Sequence, residues 1–265
     1  MPFDLSAYLA RIGLAVPPAA DAAGLALVQR AHRLAIAFET LDIALGRRIA
    51  IDGEAVFAKL VAGRRGGCCF EHNQLFIDAL GALGFEAAPL LARVWLGASH
   101  VPVRTHALAL VTIDGTRWIA DAGFGGSYAP PMPLADGEAA EAPDGARFRL
   151  ARDPLHGWML ERARGEGEAW EPQYSFTEEH VFPVDLELAS HWIQTAPESR
   201  FARGDVVSIP LPHGLATLEG TRYRRRNGEQ TAEAEIADAR VYRMRLSLMF
   251  GIDLSAEEVA ALGLF

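Results

Sequence analysis

The chain is short of cysteine: among 265 residues there are two, and they are neighbours, Cys68 and Cys69. Adjacent Cα atoms lie only ~3.8 Å apart, so this pair cannot close an unstrained disulfide. One Cys-Cys step does not supply the paired spacing of a zinc site either. With no third cysteine available, the expected setting is a reducing one, the cytoplasm. Long apolar runs are also missing, none approaching the ~18 residues of a membrane span. "MPFDLSAYLARIG" has neither a basic flank nor a continuous apolar core, and does not read as a signal peptide. Positive charge is scarce: 25 Lys and Arg stand against 34 Asp and Glu, so nothing global attracts a nucleic-acid backbone. No internal repeat or low-complexity tract is visible. What is present is ordinary globular composition, at a length that suits one large domain or two to three small packed ones.

The first third carries helical periodicity. Leu5, Tyr8, Leu9 and Ile12 follow Asp4 and Ser6, either of which could cap the helix. A second helix is expected from about Asp21, with Leu25, Val28, Ala31 and Leu34 on its inner face. A third carries Val56, Phe57, Leu60 and Val61 and stops at Gly63. A fourth runs from about Cys69 to Leu83, with Phe76, Leu80 and Leu83 inward and Gly84 as its left-handed cap. Beyond Gly84 the period shifts to that of strands: "EAAPLLARVWL", "THALALVTI" and "RWIADAGF", the last two joined through Asp114-Gly115, a hairpin signal. Shorter strands follow at "RFRLAR", "GWMLERAR" and "AWEPQYSF". The polar stretch 136–146 reads as a surface excursion. A helix is expected at about 184–194, strands at about 205–211 and 214–226, and a helix at about 238–250. Ser255 and Glu258 form a capping box in "SAEEVAALG". Helices, then antiparallel strands, then a mixed end make the class α+β.

"RRGGCCFEHN" sets Cys69 at the start of the fourth helix, where the helix dipole favours a thiolate. Cys68 falls in the preceding turn. On these residues alone, both could equally be small buried apolar side chains. The hairpin adds a second observation. If Asp114 and Gly115 form its loop, Ile113 faces Thr116, Asp121 falls opposite Leu108, and His106 falls opposite Gly123. His106 and Asp121 then share a face as diagonal neighbours on adjacent strands. Such an imidazole, held by a carboxylate at one nitrogen, leaves the other free for a thiol, as a Cys-His-Asp nucleophile requires. A plain cross-strand polar pair is the other reading of the same register.

Three blocks, "RGGCCFEHN" (65–73), "RTHALALV" (104–111) and "IADAGFGGSY" (119–128), resemble the signature segments of the arylamine N-acetyltransferases. "IAFETLDI" is similar to a further family segment, with Thr40 where Asn is usual and Ala37 where Pro is usual. "ASHWIQTAPESRF" resembles another, with Ser190 in place of Asn. The resemblance reaches from about residue 5 to about residue 260. It implies a helical bundle (1–84) carrying the nucleophile, an antiparallel β-barrel (85–183) carrying His and Asp, and an α/β lid (184–265), around a cysteine-protease-like core. It also implies that Cys69 is the nucleophile, with His106 and Asp121 completing a triad and Cys68 in a variable slot.

The activity so implied is transfer of an acetyl group from acetyl-CoA to an arylamine, arylhydrazine or N-hydroxyarylamine by a ping-pong route, with no metal. Phe38, Phe70 and Phe124 match positions that the family uses near the thiol. Glu39 and Arg65 resemble its structural ion pair. Trp192, Thr195 and Ser199 lie in the segment that faces CoA. Gly125 and Gly126 could let backbone approach a ligand. His72 reads as supporting or exposed. Arg222, Arg224 and Arg226 in "RYRRRNG" would line one strand face, either attracting the cofactor or simply solvated. On the same scaffold, a macrolactam-forming amide synthase would use a carrier-bound acyl chain. A Cys-His-Asp hydrolase, a transglutaminase-like enzyme or a non-enzymatic binding module are readings from other classes.

Overall fold

Asp4 begins the first helix by accepting the Ala7 amide, and Gly13, at φ 75°, ends it. The structure, a computed structural model, describes residues 3–265 apart from 127, 166 and 203. In chain order, α1 is Leu5–Ile12, α2 Ala22–Ala35, β1 Phe38–Glu39 and α3 Leu41–Ala44. Helix α4 (Gly53–Phe57) continues as a π turn, Ala58–Ala62, and α5 is Cys69–Ala82. Strands β2 (Glu86–Val94), β3 (Arg104–Ile113), β4 (Thr116–Ala120), β5 (Met132–Pro133), β6 (Ala139–Glu141), β7 (Arg147–Asp153), β8 (Gly157–Ala163) and β9 (Glu171–Phe176) follow. Then come α6 (Pro183–Thr195), β10 (Val206–Leu211), β11 (Gly214–Glu219), β12 (Arg222–Asn227) and β13 (Gln230–Glu235). Last are α7 (Ala239–Arg245) with its π turn Leu246–Phe250, and α8 (Ala256–Ala261).

The early helices bury Tyr8, Leu25, Val28, Leu60, Phe76 and Leu80 completely, each aliphatic or aromatic side chain contributing about 1.5–3 kcal/mol of transfer free energy. Helix α2 differs from the periodic expectation. Leu25 and Val28 do face inward, but Ala31 and Leu34 are only half buried, and Gln29, His32 and Arg33 lie inside instead. Helix periodicity ranks apolar side chains, and here three polar ones found interior partners.

Eight antiparallel strands, in the order β5-β4-β3-β2-β9-β8-β7-β6, form a nearly closed barrel. The hairpin β3–β4 has the expected register, Ile113 opposite Thr116 and Ala109 opposite Ala120. Asp114 and Gly115 both take positive φ, 48° and 77°, which matches the twist of the flanking strands. Beyond Ala120 the chain leaves the ladder, so "DAGF" is loop and not strand. The β2–β3 ladder shifts beside Ala92, where Ala92 pairs His106 but Arg93 pairs Arg104. The irregularity falls at the residue that the site uses, as bulges often do.

The stretch 136–146 is more than a surface excursion, because it contains β6 and buries Ala142 and Ala146 against the barrel core. The expected strand 214–226 is two strands, β11 and β12, turned at Gly220 (φ 53°) and Thr221. They belong to a second antiparallel sheet, β1-β10-β11-β12-β13. Its first strand is contributed by residues 38–39, so the early helical segment is bonded into the late sheet. Val207, Leu218 and Tyr223 pack beneath Tyr242, Leu246 and Val259. No helix of the described residues is long and apolar enough to cross a membrane.

Candidate active site

Two backbone hydrogen bonds tie the turn before α5 to the start of the second sheet: Gly67 N–H donates to Ala37 O (3.2 Å) and Glu39 N–H to Gly67 O (2.9 Å). Glu39 in turn holds Arg65 by two bonds of 2.8 and 2.9 Å. Glu71 accepts the Cys68 amide at 2.8 Å and takes Lys59 Nζ at 2.7 Å, while Lys59 also meets Asp42 at 2.7 Å. This charged frame fixes Cys68 as the residue capping α5 and leaves Cys69 as its first helical residue.

At that point the thiol of Cys69 meets the barrel. Its sulfur lies 3.8 Å from the Thr105 carbonyl, beside His106. His106 Nε2 donates to Asp121 Oδ2 at 2.7 Å, both side chains buried. The other ring nitrogen is therefore the one presented to the sulfur. Asp121 Oδ1 accepts from Asn73 (3.1 Å) and from the amides of Gly123 (2.8 Å) and Phe124 (3.1 Å). A carboxylate so supplied stays ionised: burial pushes it up, but His106 and these donors hold it at about 2.

Burial likewise pulls His106 down, yet the charge and hydrogen bond of Asp121, with Cys69, carry it up to about 10. Cys69 is lowered to about 5 by a hydrogen bond from the Cys68 side chain and by His106 and the Ala107 amide, against its own burial. Cys68 moves the opposite way, well above the usual thiol range. These opposite shifts favour a thiolate beside an imidazolium, with the Cys68 thiol as donor to Cys69.

The loop that carries Asp121 lies unusually close to α5. A Cβ on Gly123 would stand 2.5 Å from Asn73 Nδ2 and 2.7 Å from the Cys69 carbonyl, so only glycine fits. Gly125 passes over the Phe38 ring at 3.1–3.3 Å from where its Cβ would be. Asn73 closes the contact, donating to Ala107 O (2.6 Å) and accepting the Ala122 amide (3.1 Å). From α2, Gln29 accepts the Asp121 amide at 2.9 Å and donates to Ala129 O at 2.7 Å. Arg33, fully buried and lowered to about 10 by that burial despite Asp121, reaches Ala122 O and Gly126 O.

Under this layer runs a line of hydrogen bonds from Tyr8 OH to His32 Nδ1 (3.0 Å), His32 Nε2 to His72 Nδ1 (2.8 Å) and His72 Nε2 to Ala37 O (3.1 Å). Since a carbonyl only accepts, His72 Nε2 carries the proton, and each bond above it is then set in direction. His72 is thus wholly buried and not exposed at the helix start.

The thiol opens on a cleft of about 400 Å3. Phe38, Phe124, Gly125, Gly126, Trp192 and Ser199 line it, as does Phe201. Phe70 does not: it is buried with Leu186 and Ala189 of α6. Thr195 is exposed and turns its hydroxyl to His191 O at 2.9 Å, away from the cleft. Sequence reasoning gave no role to Gln29, His32, Arg33 or Phe201, and Asn73 was noted only as part of a block. Polar residues on the inner face of α2 were the available signal.

Residues 21–259 match the family model described as N-acetyltransferase. The arylamine N-acetyltransferase of Mycolicibacterium smegmatis is 36% identical over 96% of this chain and 94% of its own length. The arylamine N-acetyltransferase / N-hydroxyarylamine O-acetyltransferase of Salmonella typhimurium is 33% identical over 95% and 89%. Among solved structures, the Salmonella typhimurium enzyme superposes with a TM-score of 0.92 at 31% identity, covering 98% of both chains. The Mycobacterium marinum enzyme in complex with CoA superposes at 0.89 with 30% identity, again covering 98% of both chains.

Proposed function

Because the chain belongs to the arylamine N-acetyltransferase family, we propose that it carries an acetyl group from acetyl-CoA to the nitrogen of an arylamine, arylhydrazine or N-hydroxyarylamine through acetyl-Cys69. The observation that carries this reading is the 2.7 Å His106–Asp121 bond beside a thiol at a helix N-terminus. The Cys69 thiolate attacks the thioester carbonyl, and CoA departs as its thiol after taking the imidazolium proton. His106, now neutral, accepts a proton from the amine as it attacks the acetyl-cysteine, and the thiolate is released. Asp121 keeps the ring oriented and offsets its charge in both half-reactions. The helix-start thiol facing a strand histidine supports a cysteine-protease-like core. The position of 184–265 over the cleft, through Trp192 and Ser199, supports a lid role for that segment.

Phe38, Phe124 and Phe201 give the cleft aromatic walls suited to a flat acceptor ring, with Gly125 and Gly126 keeping it shallow. Intact mass spectrometry tests the scheme. Acetyl-CoA alone should add one acetyl group to the protein, and an added arylamine should remove it. A protein that is never acetylated, or whose acetyl group an arylamine leaves in place, contradicts the two-step route.

A further inference from the structure

Each half-reaction changes the charge that Asp121 faces. In the resting site, the shifts of Cys69 and His106 favour a thiolate and an imidazolium beside the Asp121 carboxylate. Once the acetyl group is on sulfur and the proton has left with CoA, Cys69 and His106 are both neutral. Asp121 then remains as a buried carboxylate with no imidazolium next to it. The hydrogen bonds from Asn73, Gly123 and Phe124 satisfy its oxygen but supply no full positive charge.

A full charge lies on the other side of the loop. Arg33 comes up from α2, is fully buried, and reaches Ala122 O at 3.3 Å and Gly126 O at 2.6 Å. Its guanidinium carbon stands 5.3 Å from the centre of the Tyr128 ring, and its Nε is shielded from water with no partner among the described residues. A buried arginine is ordinarily paired with a carboxylate. Here carbonyls and a ring surround the cation, and the carboxylate that acts on it is Asp121. Burial lowers Arg33 only to about 10, with Asp121 working against the drop, so it stays charged. One turn earlier on α2, Gln29 accepts the Asp121 amide at 2.9 Å and donates to Ala129 O at 2.7 Å. Two side chains of one helix thus hold one loop, the first with a charge and the second without.

We infer that Arg33 is a positioning residue for acetyl transfer: it holds the 122–126 turn by its carbonyls and supplies the buried positive charge that balances Asp121 while His106 is neutral. This deepens the acetyl-Cys69 reading and rests on it. A cation behind Asp121 disfavours return of a proton to the His106–Asp121 pair, so it keeps the ring a free base in the acetyl-enzyme down to lower pH. Around the pair, burial keeps His32, His72, Tyr128 and Tyr174 neutral between pH 5 and 9. The Cys68 thiol is raised by its bond to Cys69 and by burial. Glu71, paired with Lys59 behind Cys68, is untouched by the variants below.

The test follows the second half-reaction alone. Cys69 is acetylated with 4-nitrophenyl acetate, which needs no CoA, and an arylamine that is itself neutral from pH 5 to 9 is added. Intact mass spectrometry gives the rate of acetyl loss, which should rise with pH as His106 deprotonates. Arg33→Met puts an apolar side chain of similar length in place of the charge, and its midpoint should move up by about one pH unit. Arg33→Gln keeps an amide for one carbonyl, should move the midpoint the same way, and serves if the methionine variant does not fold. Arg33→Lys keeps the charge but not the fork, so it should slow transfer and hold the midpoint. Gln29→Met loosens the same loop without touching charge, and should lower the plateau with the midpoint unmoved. A folded Arg33→Met whose midpoint stays in place overturns the inference, as does a Gln29→Met that shifts it equally; acetyl transfer survives both results. If the unmodified protein takes acetyl from neither 4-nitrophenyl acetate nor acetyl-CoA, or keeps it when the amine is added, the acetyl-Cys69 reading fails and the role of Arg33 fails with it.

Discussion

Asp121 reaches His106 through Oδ2 at 2.7 Å while its Oδ1 takes three further hydrogen bonds, from Asn73, Gly123 and Phe124. One carboxylate thereby joins α5, β3 and the loop after β4. Removing its charge should disturb chemistry far more than the fold, because an amide of the same shape keeps most of the contacts. Asp121→Asn should remain folded by circular dichroism and lose activity by roughly ten-thousandfold, as the equivalent change does in a serine triad. Near-normal turnover in a folded variant would remove Asp121 from the mechanism.

Cys69→Ala should abolish acetyl labelling, and Cys68→Ala should retain it on Cys69. The second variant carries a further expectation, since the hydrogen bond from the Cys68 thiol is the largest stabiliser of the Cys69 thiolate. In the unmodified enzyme, the rate of alkylation by iodoacetamide should reach half its plateau near the Cys69 value of about 5. Cys68→Ala and His106→Ala should each move the profile upward, toward the ~8.5 of a free thiol. A starting profile already centred there would mean that neither group stabilises the thiolate.

Stability should fall below neutrality. Burial holds His32 well below its ordinary value and His72 at about 3, so both stay neutral in the fold. Below ~6.5 the unfolded chain binds the extra protons, and stability drops by ~1.4 kcal/mol per pH unit for each histidine. His106 acts with the opposite sign: raised to about 10, its contribution is complete below ~6.5 and is lost as pH rises, but Cys69, lowered to about 5, gains over the same range and offsets that loss up to ~8.5. Urea midpoints should rise from pH 5 to about 6.5 and change little from there to about 8.5. A midpoint that is flat from 6.5 down to 5 would contradict the neutral Tyr8–His32–His72 line.

Two glycines should respond in opposite ways to alanine. Gly123→Ala drives a methyl into Asn73 and the Cys69 carbonyl, and should cost about 1–3 kcal/mol with activity falling alongside. Gly81, exposed in the last turn of α5 with nothing within 4 Å of a built Cβ, should gain about 0.5–1 kcal/mol from the better helix former. Chemical unfolding of both variants checks the pair.

The juxtaposition of Cys69, His106 and Asp121 was legible because much of it rests on local rules. A Gly-Gly turn sets the start of α5, and Asp114-Gly115 sets a hairpin whose ladder ends at Ala109–Ala120, short of the expected Asp121–Leu108 and His106–Gly123 pairs. The loop after β4 completes the approach of Asp121 to His106. The supporting residues were not legible from periodicity, since their partners lie far away in sequence. Arg33 bonds the carbonyls of Ala122 and Gly126, and Gln29 bonds Asp121 and Ala129, across loops that no helical pattern describes. Phe70 shows the same limit from the other side. One residue after Cys69, it is buried in a cluster with Leu186 and Ala189 and does not line the cleft. The break at Gly220 was visible as "LEGTR" but was obscured by strand-forming residues on both sides.

Lys59 is the only lysine in the sequence, and its amine is engaged by Asp42 and Glu71. Burial works to lower it, but the surrounding carboxylates raise it well above the ordinary lysine range, so the nitrogen has no lone pair to offer. An enzyme that stores an activated acyl group exposes its own surface to stray aminolysis every time it is charged. Here, apart from the α-amino group, no side-chain amine can intercept that group. Acetyl on a side-chain nitrogen is therefore not expected after turnover, and amine-directed coupling would attach the protein to a support through its α-amino group.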